Sequence, residues 1–475
     1  MIIQRIRGRN DCPEEVMMTK KVYVAALTAA LALGMSMTAF AAGWQKSGND
    51  WTYVNDSGKR VTNEWQRGAD NEWRWINSQG VMATNSWADN EYYVDGDGKI
   101  VVNKWMKLAI KNPDWNQTGQ SAWYYFGSSG KCVTGGWSKI NNKYYYFNDD
   151  GEMQTGWVDD EQYYVNGDGV MQTGWVWLED PDKKEEDSTA PDIKDDEDFH
   201  WYYFKSNGKK FEPEGSGYQL EKIDGKYFCF NDKGAMQTGW VNMGDKDAGS
   251  FENMRYFKSD GSVMTKWAML TPPDDDELDG LMKLDDYEEQ WYYFDSKGVP
   301  EVGPEISNAS TNNLKKINGV TYLFNDKGNP VYGLRKLRIG NRDEYAAYFF
   351  GADKATSSVV CGKGTVEEGD GSKHEYYFNE TGNNKGRGFT GVKNKYLYYM
   401  GRLQQATDNN AAIFAIDGKN YAVNRSGKVL TKDTFKISGT KYKTNANGII
   451  CEVDGESSKG DESAEEPVEP EFWDD

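Results

Sequence analysis

The sequence predicts an all-β fold, a repeat solenoid of stacked β-hairpins with acidic loop insertions and a disordered acidic tail. Three observations predict it. Aromatic residues make up 14% of the 475 residues, with 30 Tyr and 18 Trp, and the chain contains 51 Gly. Tryptophan recurs about every 20 residues over the first two thirds of the chain. Hydrophobic residues amount to only 38%. This composition favours thin β layers of amphipathic aromatic residues over one thick core.

Each repeat contains an aromatic cluster, then a polar turn that ends in Gly. The segment from 143 to 175, KYYYFNDDGEMQTGWVDDEQYYVNGDGVMQTGW, contains this arrangement twice. Aromatic residues before a tight turn, with Gly where a positive φ is needed, are a hairpin signal. One hairpin is marginally stable in water, whereas stacked hairpins bury a face against their neighbours. In KYYYF, Tyr144 and Tyr146 share one face of the strand, and Tyr145 and Phe147 share the other.

The first 41 residues have the features of an export signal. Lys20 and Lys21 precede the short apolar run 22–35, and Ala39-Phe40-Ala41 supplies a cleavage site of the small-x-small type. Residues 1–16 precede the position at which such a signal usually begins. They are therefore a candidate for a mis-called translation start. The apolar run is too short for a membrane span. We therefore expect a secreted chain without a transmembrane anchor.

The acidic residues are concentrated in three stretches. Residues 178–198 contain 11 acids and 3 bases, 274–289 contain 9 acids and 1 base, and 452–475 contain 11 acids and 1 base. The combined negative charge of these three stretches is larger than the net charge of the whole chain, which is −20. We interpret the first two as solvated insertions and the third as a disordered tail. Nucleic acid is excluded as a partner for a chain of this charge.

The other motifs do not predict a catalytic or metal-binding site. The DGDG at 95–98 lacks the acidic residues that a calcium loop needs at its first and last positions, so it is interpreted as a β-turn. The five cysteines have no CxxC spacing and are interpreted as isolated apolar residues. The acidic pairs lie in charge runs, and the two histidines have no nucleophile motif near them. The sequence predicts no catalytic residues, no metal site and no cofactor.

The repeats also carry a family resemblance. GWSKINNKYYYFNDDGEMQTGW (136–157) resembles a unit of the choline-binding, or cell-wall-binding, repeat family of Gram-positive surface proteins. The resemblance extends from Trp44 to about Gly448 and is strong as far as Gly298. It implies a superhelix of hairpins with ligand sites between consecutive hairpins. It divides the chain into a Trp-rich part (42–300), a degenerate Tyr/Phe-rich part (301–451) and the tail (452–475).

The resemblance implies that each site is an aromatic cage. Such a cage combines the Trp after Gly, the first aromatic residue of the cluster and a Tyr of the next unit, with a Met that helps to close it. Aromatic faces attract a quaternary ammonium, by about 0.5–2 kcal/mol per contact. The best cage is expected from Trp137, Tyr144, Tyr164 and Met171, and pairs are expected from Trp44 with Trp51 and from Trp65 with Trp73. Further candidates are Trp157, Trp175, Trp201, Tyr227 and Trp240.

The sequence departs from the family pattern in places. Glu91 and Gln162 replace the first aromatic residue of their units, so we expect incomplete cages there. After Trp291 the remaining tryptophan is Trp473. The later, Tyr-rich repeats either resemble the related glucan-binding repeats or are structural copies that have lost their ligand. Three functions remain open. The first is a non-catalytic protein attached non-covalently to choline-decorated teichoic acid or a similar envelope polymer. The second is a carbohydrate (glucan)-binding or adhesin-like surface protein that stacks sugars on the same rings, and the third is an enzyme with an unrecognised catalytic part.

Overall fold

The computed structural model describes residues 42–114, 116–181, 199–244, 250–273, 288–407, 410–458 and 464–473. The predicted signal peptide and most of the two acidic insertions lie outside these residues. The chain divides into two compact units. Unit 1 comprises the residues up to 138 together with 147–153, and unit 2 comprises 139–146 together with the residues from 154 onward.

Unit 1 consists of consecutive antiparallel hairpins. Its strands are β1 (Gly43–Ser47), β2 (Asp50–Val54), β3 (Glu64–Arg67), β4 (Trp73–Ile76), β5 (Ser86–Ala88), β6 (Tyr92–Val94), β7 (Lys104–Ala109) and β8 (Ser121–Phe126). They pair as β1–β2, β3–β4, β5–β6 and β7–β8. The strands β9 (Gly136–Ile140) and β10 (Lys143–Phe147) are each divided between the two units.

Unit 2 continues the same arrangement before its sheets become larger. Its hairpin strands are β11 (Gly156–Val158), β12 (Tyr163–Val165), β13 (Gly174–Glu179), β14 (Phe199–Phe204), β15 (Gln219–Ile223), β16 (Lys226–Phe230), β17 (Gly239–Asn242), β18 (Met254–Phe257), β19 (Lys266–Leu270), β20 (Gln290–Phe294), β21 (Lys315–Ile317), β22 (Val320–Tyr322), β23 (Leu334–Arg338) and β24 (Tyr345–Phe349). Each odd-numbered strand pairs with the next.

The last strands form two larger sheets and one more hairpin. They are β25 (Gly362–Glu367), β26 (Lys373–Phe378), β27 (Gly391–Lys393), β28 (Tyr396–Tyr399), β29 (Arg402–Leu403), β30 (Ala411–Ile416), β31 (Lys419–Asn424), β32 (Thr434–Ile437), β33 (Thr440–Thr444), β34 (Ile450–Val453) and β35 (Glu456–Ser457). A five-stranded sheet has the order β25-β26-β29-β28-β27, and a four-stranded sheet runs from β32 to β35. The helices among the described residues are short 3-10 turns at Phe251–Asn253, Ile306–Asn308, Thr311–Asn313 and Lys354–Thr356. None of them is long or apolar enough to cross a membrane. The predicted all-β fold of repeated hairpins is confirmed.

The polar turns have a common hydrogen-bond pattern. In the turn at Asn166, the side-chain oxygen accepts N–H bonds from Asp168 (3.1 Å) and Val170 (2.9 Å). Gly169 has a φ of 76° and donates its N–H to the Asn166 carbonyl at 2.8 Å. Asp95 of the DGDG segment makes the same contacts, with Asp97 at 3.0 Å and Lys99 at 2.9 Å. Its carboxylate therefore closes a turn, as the β-turn interpretation predicted.

Neighbouring hairpins within a unit are joined by buried aromatic residues. Phe126, Phe147, Phe204, Phe230 and Phe294 end their clusters and are fully buried. The Met that follows a turn packs against the turn glycine of the next hairpin. A Cβ at Gly98 would lie 3.0 Å from the Met82 sulfur, and a Cβ at Gly208 would overlap Met171. The glycines are thus required both by backbone conformation and by close packing.

The expectation of a disordered acidic tail is wrong for the described part of the tail. Residues 452–457 contribute to β34 and β35, and residues 464–473 lie against unit 2. The N–H of Glu465 donates to the Ile413 carbonyl at 2.8 Å, and that of Trp473 donates to the Leu334 carbonyl at 3.0 Å. Composition indicated disorder because acidic residues dominate, but Phe472 and Trp473 pack on the hydrophobic cluster that contains Leu334.

Candidate functional site

The hairpin register fixes which rings face each other. In eight of the described hairpins, a Trp near the start of the first strand lies opposite the aromatic residue that precedes a buried Phe, Val or Ile of the second strand. This pairing joins Trp44 to Tyr53, Trp65 to Trp75, Trp87 to Tyr93, Trp105 to Tyr125, Trp157 to Tyr164, Trp175 to Tyr203, Trp240 to Tyr256 and Trp267 to Tyr293. In the Trp44 pair the ring centroids are 5.4 Å apart. In all of these pairs except that of Trp240 with Tyr256, the paired residue is a later member of the cluster and not its first aromatic residue.

The same tryptophans also contact rings of the following hairpin. The distances between ring centroids are 5.1 Å for Trp157 and Tyr202 and 4.8 Å for Trp175 and Phe228. The corresponding distance for Trp240 and Tyr292 is 5.1 Å. Trp240 is only 8% exposed, and its indole N–H donates to the Thr271 carbonyl at 2.9 Å. Its ring is enclosed by protein, so it acts as core between hairpins. The contribution of Trp240 to a ligand cage stays a prediction, and it requires a ring that is almost fully enclosed in this structure.

The first aromatic residue of several clusters lies on the exposed side, opposite a basic residue. The amine of Lys46 lies 5.9 Å from the centre of the Trp51 ring, and the guanidinium of Arg67 lies 5.3 Å from that of Trp73. Lys139 lies 5.4 Å from Tyr144, and Lys222 lies 5.5 Å from Tyr227. These cation–π contacts use ring faces that an external cation would need. A ligand cation must therefore displace the basic side chain from the ring face or share that ring face with it.

Unit 1 contains a cavity of about 490 Å³ that combines three of the expected features. Its walls include Trp44, Trp51 and Met82, which are the Trp of one unit, the first aromatic residue of its cluster and the Met after the next turn. Trp51 is 40% exposed, and the indole N–H of Trp44 is held by the Arg67 carbonyl at 2.9 Å. The predicted pair of Trp44 and Trp51 thus lines a single cavity.

Charged groups line the other side of this cavity. Arg74 donates two hydrogen bonds to Asp70, both 2.7 Å long, and the Lys99 amine lies 3.4 Å from the same carboxylate. The hydrogen bonds from Arg74 hold the pKa of the Asp70 carboxyl well below its usual range. Asp97 also lines the cavity. Two acids and two bases thus lie beside two indole rings, in an arrangement that can hydrogen-bond hydroxyl groups as well as receive a cation.

The expected cage of Trp137, Tyr144, Tyr164 and Met171 has residues in both compact units. Trp137 belongs to unit 1, whereas Tyr144, Tyr164 and Met171 belong to unit 2. Within unit 2, the N–H of Met171 donates to the Tyr144 carbonyl at 2.9 Å, so these two residues are neighbours as expected. Tyr164 lies opposite Trp157, with ring centroids 5.4 Å apart. The grouping of Trp137 with the other three remains a prediction.

The remaining candidates have different surroundings. The ring centroid of Trp65 lies 5.2 Å from that of Trp75 and 5.3 Å from that of Tyr92 in the next hairpin, whereas Trp73 lies two register pairs further along, opposite Arg67. The expectation that Trp65 and Trp73 begin a cage did not include Trp75, which is the residue that pairs with Trp65. Trp175 packs against the following hairpin, as described above, and its contribution to a ligand site remains a prediction.

Trp201 belongs to an aromatic group that the sequence reasoning missed. It is 40% exposed and lies opposite Trp177, with ring centroids 5.5 Å apart. Phe199 lies 6.2 Å from Trp177 on the same face. Trp177 follows Trp175 by two residues in a strand, so alternation alone could have placed it on the same face.

Two family models match parts of the chain. The choline-binding repeat model matches residues 133–160. The cell wall binding repeat model matches residues 114–132, 200–210 and 286–299. The matched segments overlap with the hairpins and aromatic clusters described above. The chain carries repeats of the choline-binding, or cell-wall-binding, family.

Known proteins resemble parts of the chain. Glucosyltransferase-S of Streptococcus mutans is 25% identical over 259 residues, which are 46% of this chain and 16% of that protein. The modular autolysin LytC of Streptococcus pneumoniae is 24% identical over 61% of this chain and 52% of its own, with a TM-score of 0.36. CbpJ of the same species is 20% identical over 67% of this chain and 100% of its own, with a TM-score of 0.37. The chain thus spans about a sixth of the glucosyltransferase and about half of the autolysin.

Proposed function

We propose that the chain is an exported, non-catalytic protein that attaches non-covalently to the cell surface. Its ligand is choline-decorated teichoic acid or a similar envelope polymer, held by aromatic faces between hairpins. The cavity lined by Trp44, Trp51 and Met82 carries this proposal. It combines two indole faces with a methionine, which are three of the four features that the family resemblance implies for a quaternary-ammonium site, the fourth being a Tyr of the next unit. The repeats belong to a cell-wall-binding family, which supports the same ligand class.

Attachment through such sites depends on their number. One aromatic contact contributes about 0.5–2 kcal/mol, which is weak for a single small cation. A polymer that presents the same group many times engages several sites on one chain, and the effective concentration of each later site is raised. The exposed cluster aromatics Trp51, Trp123, Tyr144 and Trp201 lie in four of the hairpins along the chain. They offer a series of weak sites suited to a repeating ligand.

The experiment that tests this proposal compares two fragments with purified Gram-positive cell walls. Fragment 42–300 contains nearly all of the tryptophans, so it should co-sediment with walls nearly as well as the mature chain. Fragment 301–475 should co-sediment far less. Neither fragment nor the mature chain should release soluble muropeptides from the walls. Equal wall binding by both fragments contradicts the assignment of the sites, and release of wall fragments contradicts the non-catalytic role.

A second candidate function is glucan binding on the same rings. It is favoured by the charged groups of the cavity, because Asp70, Arg74 and Lys99 can hydrogen-bond sugar hydroxyls while Trp44 and Trp51 stack against sugar rings. The two candidates differ in their elution from walls. Free choline should release a choline-bound protein, whereas a soluble glucan and not choline should release a glucan-bound protein.

A further inference from the structure

The acidic segment 464–473, here named the strap, lies in a groove formed by several strands of unit 2. Its backbone forms hydrogen bonds along its length with the body of the unit. Besides the contacts of Glu465 and Trp473 described above, the Gly369 N–H donates to the Glu471 carbonyl at 2.8 Å. The Arg402 guanidinium donates to the Glu469 carbonyl at 2.8 Å. The strap is thus held in one register.

At its far end, the strap brings a tryptophan to a hairpin that has none. In the hairpin β23–β24, Leu334 follows Gly333 where other repeats have the Trp, and it pairs with Phe349. The indole of Trp473 lies beside these residues, since a Cβ at Gly333 would come within 2.7 Å of it. Its ring lies 5.9 Å from Tyr332, and its N–H donates to the Glu367 carbonyl at 2.9 Å. Trp473 therefore occupies the place of the missing tryptophan.

A buried carboxylate in the groove is matched to the strap. Glu368 is only 1% exposed, and a buried charge is costly unless its oxygens are hydrogen-bonded. One oxygen accepts from the Tyr376 hydroxyl at 2.6 Å and lies 3.3 Å from Arg402. The other accepts the backbone N–H of Glu471 at 3.0 Å. The strap thus satisfies part of the hydrogen-bonding capacity of a buried charge.

Side chains of the groove also recognise the strap backbone and its charge. Gln404 forms a reciprocal pair with Val468, accepting its N–H at 2.8 Å and donating to its carbonyl at 3.1 Å. Gln404 is buried, with 1% exposure. The Lys336 amine lies 4.0 Å from the Glu469 carboxylate and 5.8 Å from the centre of the Phe472 ring. The groove therefore contacts the extended backbone of the strap, one of its acidic side chains and its aromatic residues.

We propose that this groove is a peptide-binding site, and that its ligand is the chain's own acidic Phe-Trp segment. The strap acts as a built-in occupant that closes the β23–β24 hairpin to outside ligands, because its indole fills the position that a free ring face would offer. The proposal does not depend on the nature of the wall polymer. It requires that the strap and the groove recognise each other when they are no longer connected.

The direct test uses a chain that ends at residue 463 and a fluorescein-labelled peptide of residues 464–475. Fluorescence anisotropy should report saturable one-to-one binding. A peptide with Phe472→Ala and Trp473→Ala should bind at least about tenfold more weakly, since two aromatic side chains that pack on the hydrophobic cluster around Leu334 are lost. A peptide with Glu466→Gln is the matched control, because Glu466 is exposed and takes no part in the contacts described above, and it should bind like the parent peptide. Absence of saturable binding to a folded shortened chain overturns the proposal.

A second test keeps the chain at full length. The Gly369 N–H is bonded to the strap, so its hydrogen exchange reports strap release. Trp473→Ala should accelerate exchange at Gly369 while leaving exchange at the buried Ala422 of β31 unchanged, because the Ala422 N–H donates to the Gly448 carbonyl and not to the strap. Glu466→Gln, at an exposed strap position, should leave both unchanged. If Trp473→Ala leaves Gly369 protected, the strap is not held as proposed. If exchange at Ala422 accelerates as well, the strap is an integral part of the core and the idea of a separable ligand is wrong.

Discussion

The backbone N–H of Met82 donates to the carbonyl of Trp51 at 2.7 Å, across the boundary between the first two hairpins. The same relationship joins Met153 to Trp123 at 2.8 Å and Met236 to Trp201 at 2.8 Å. It ties the methionine after each turn to the exposed aromatic residue of the preceding hairpin. The relationship gives the methionine of each repeat a backbone position beside a candidate ligand ring.

Replacing Trp51 should weaken binding at the cavity of unit 1. Trp51→Ala removes one ring face, so the affinity of this site should fall by about 2- to 30-fold, which corresponds to about 0.5–2 kcal/mol. Trp51→Phe should retain part of the affinity because a ring face persists. Isothermal titration calorimetry with free choline measures both variants. Val102→Ala, at an exposed position outside the cavity lining, is the control. Unchanged binding in Trp51→Ala contradicts the assignment.

Lys46→Gln should separate the two ligand classes. The Lys46 amine lies over the Trp51 ring and competes with any external cation for that face. Removing it should raise the affinity for choline, because the ring face becomes free and a like charge is lost. The affinity for a neutral glucan should change little, because stacking needs no charge. A weaker affinity for choline in this variant, measured by the same titration, would show that Lys46 supports the ligand rather than competing with it.

Ligand binding at the cavity should not depend on pH between about 5 and 8. Arg74 lowers the pKa of Asp70 in the folded protein. A group with a lowered pKa keeps its charge above its ordinary value and loses it only as pH falls through the lower folded value. The Asp70–Arg74 pair therefore stays charged across this range. A loss of affinity on moving from pH 7 to pH 5 would indicate that another group controls the site.

The cysteine thiols of the strands should react slowly in the folded protein. Burial raises the pKa of Cys229 to about 12 and that of Cys132 to about 11. The thiolate is the reactive form, so both should resist a disulfide reagent at pH 8 and react quickly in guanidinium. Peptide mapping after labelling identifies the modified residues. Rapid modification of Cys229 without denaturant contradicts its position in the core.

A glycine substitution tests the close packing of unit 2. A Cβ at Gly303 would overlap the Phe324 carbonyl oxygen, so Gly303→Ala should lower the free energy of unfolding by about 1–3 kcal/mol. Gly364→Ala is the matched control, because nothing lies within 4 Å of its Cβ position. Thermal unfolding followed by circular dichroism compares the two variants. An equal midpoint for both contradicts the packing at Gly303.

The sequence was sufficient to predict the repeated hairpins but not the contacts between rings. The hairpin prediction rested on local turn chemistry, such as Asn166 followed by Gly169, which needs no long-range information. The pairing of Trp65 with Trp75 rather than Trp73 depends on the register of the hairpin. A change of one residue in the length of the loop can shift that register. Composition indicated that the tail is disordered, since acidic residues dominate it. The place of Trp473 depends on a groove about 100 residues earlier in the chain, and no local pattern encodes that contact.

The most direct test of the account is nuclear magnetic resonance of the Met82 methyl group in the full chain, assigned by its loss in Met82→Leu. Met82 lines the cavity with Trp44 and Trp51. Titration with choline, or with a soluble choline-bearing wall polymer, should shift this signal, and Trp51→Ala should reduce the shift. The signals of methionines outside the cavity lining serve as an internal reference. If the Met82 signal stays unchanged while the protein is saturated with the wall polymer, the cavity is not the binding site and the central claim is contradicted.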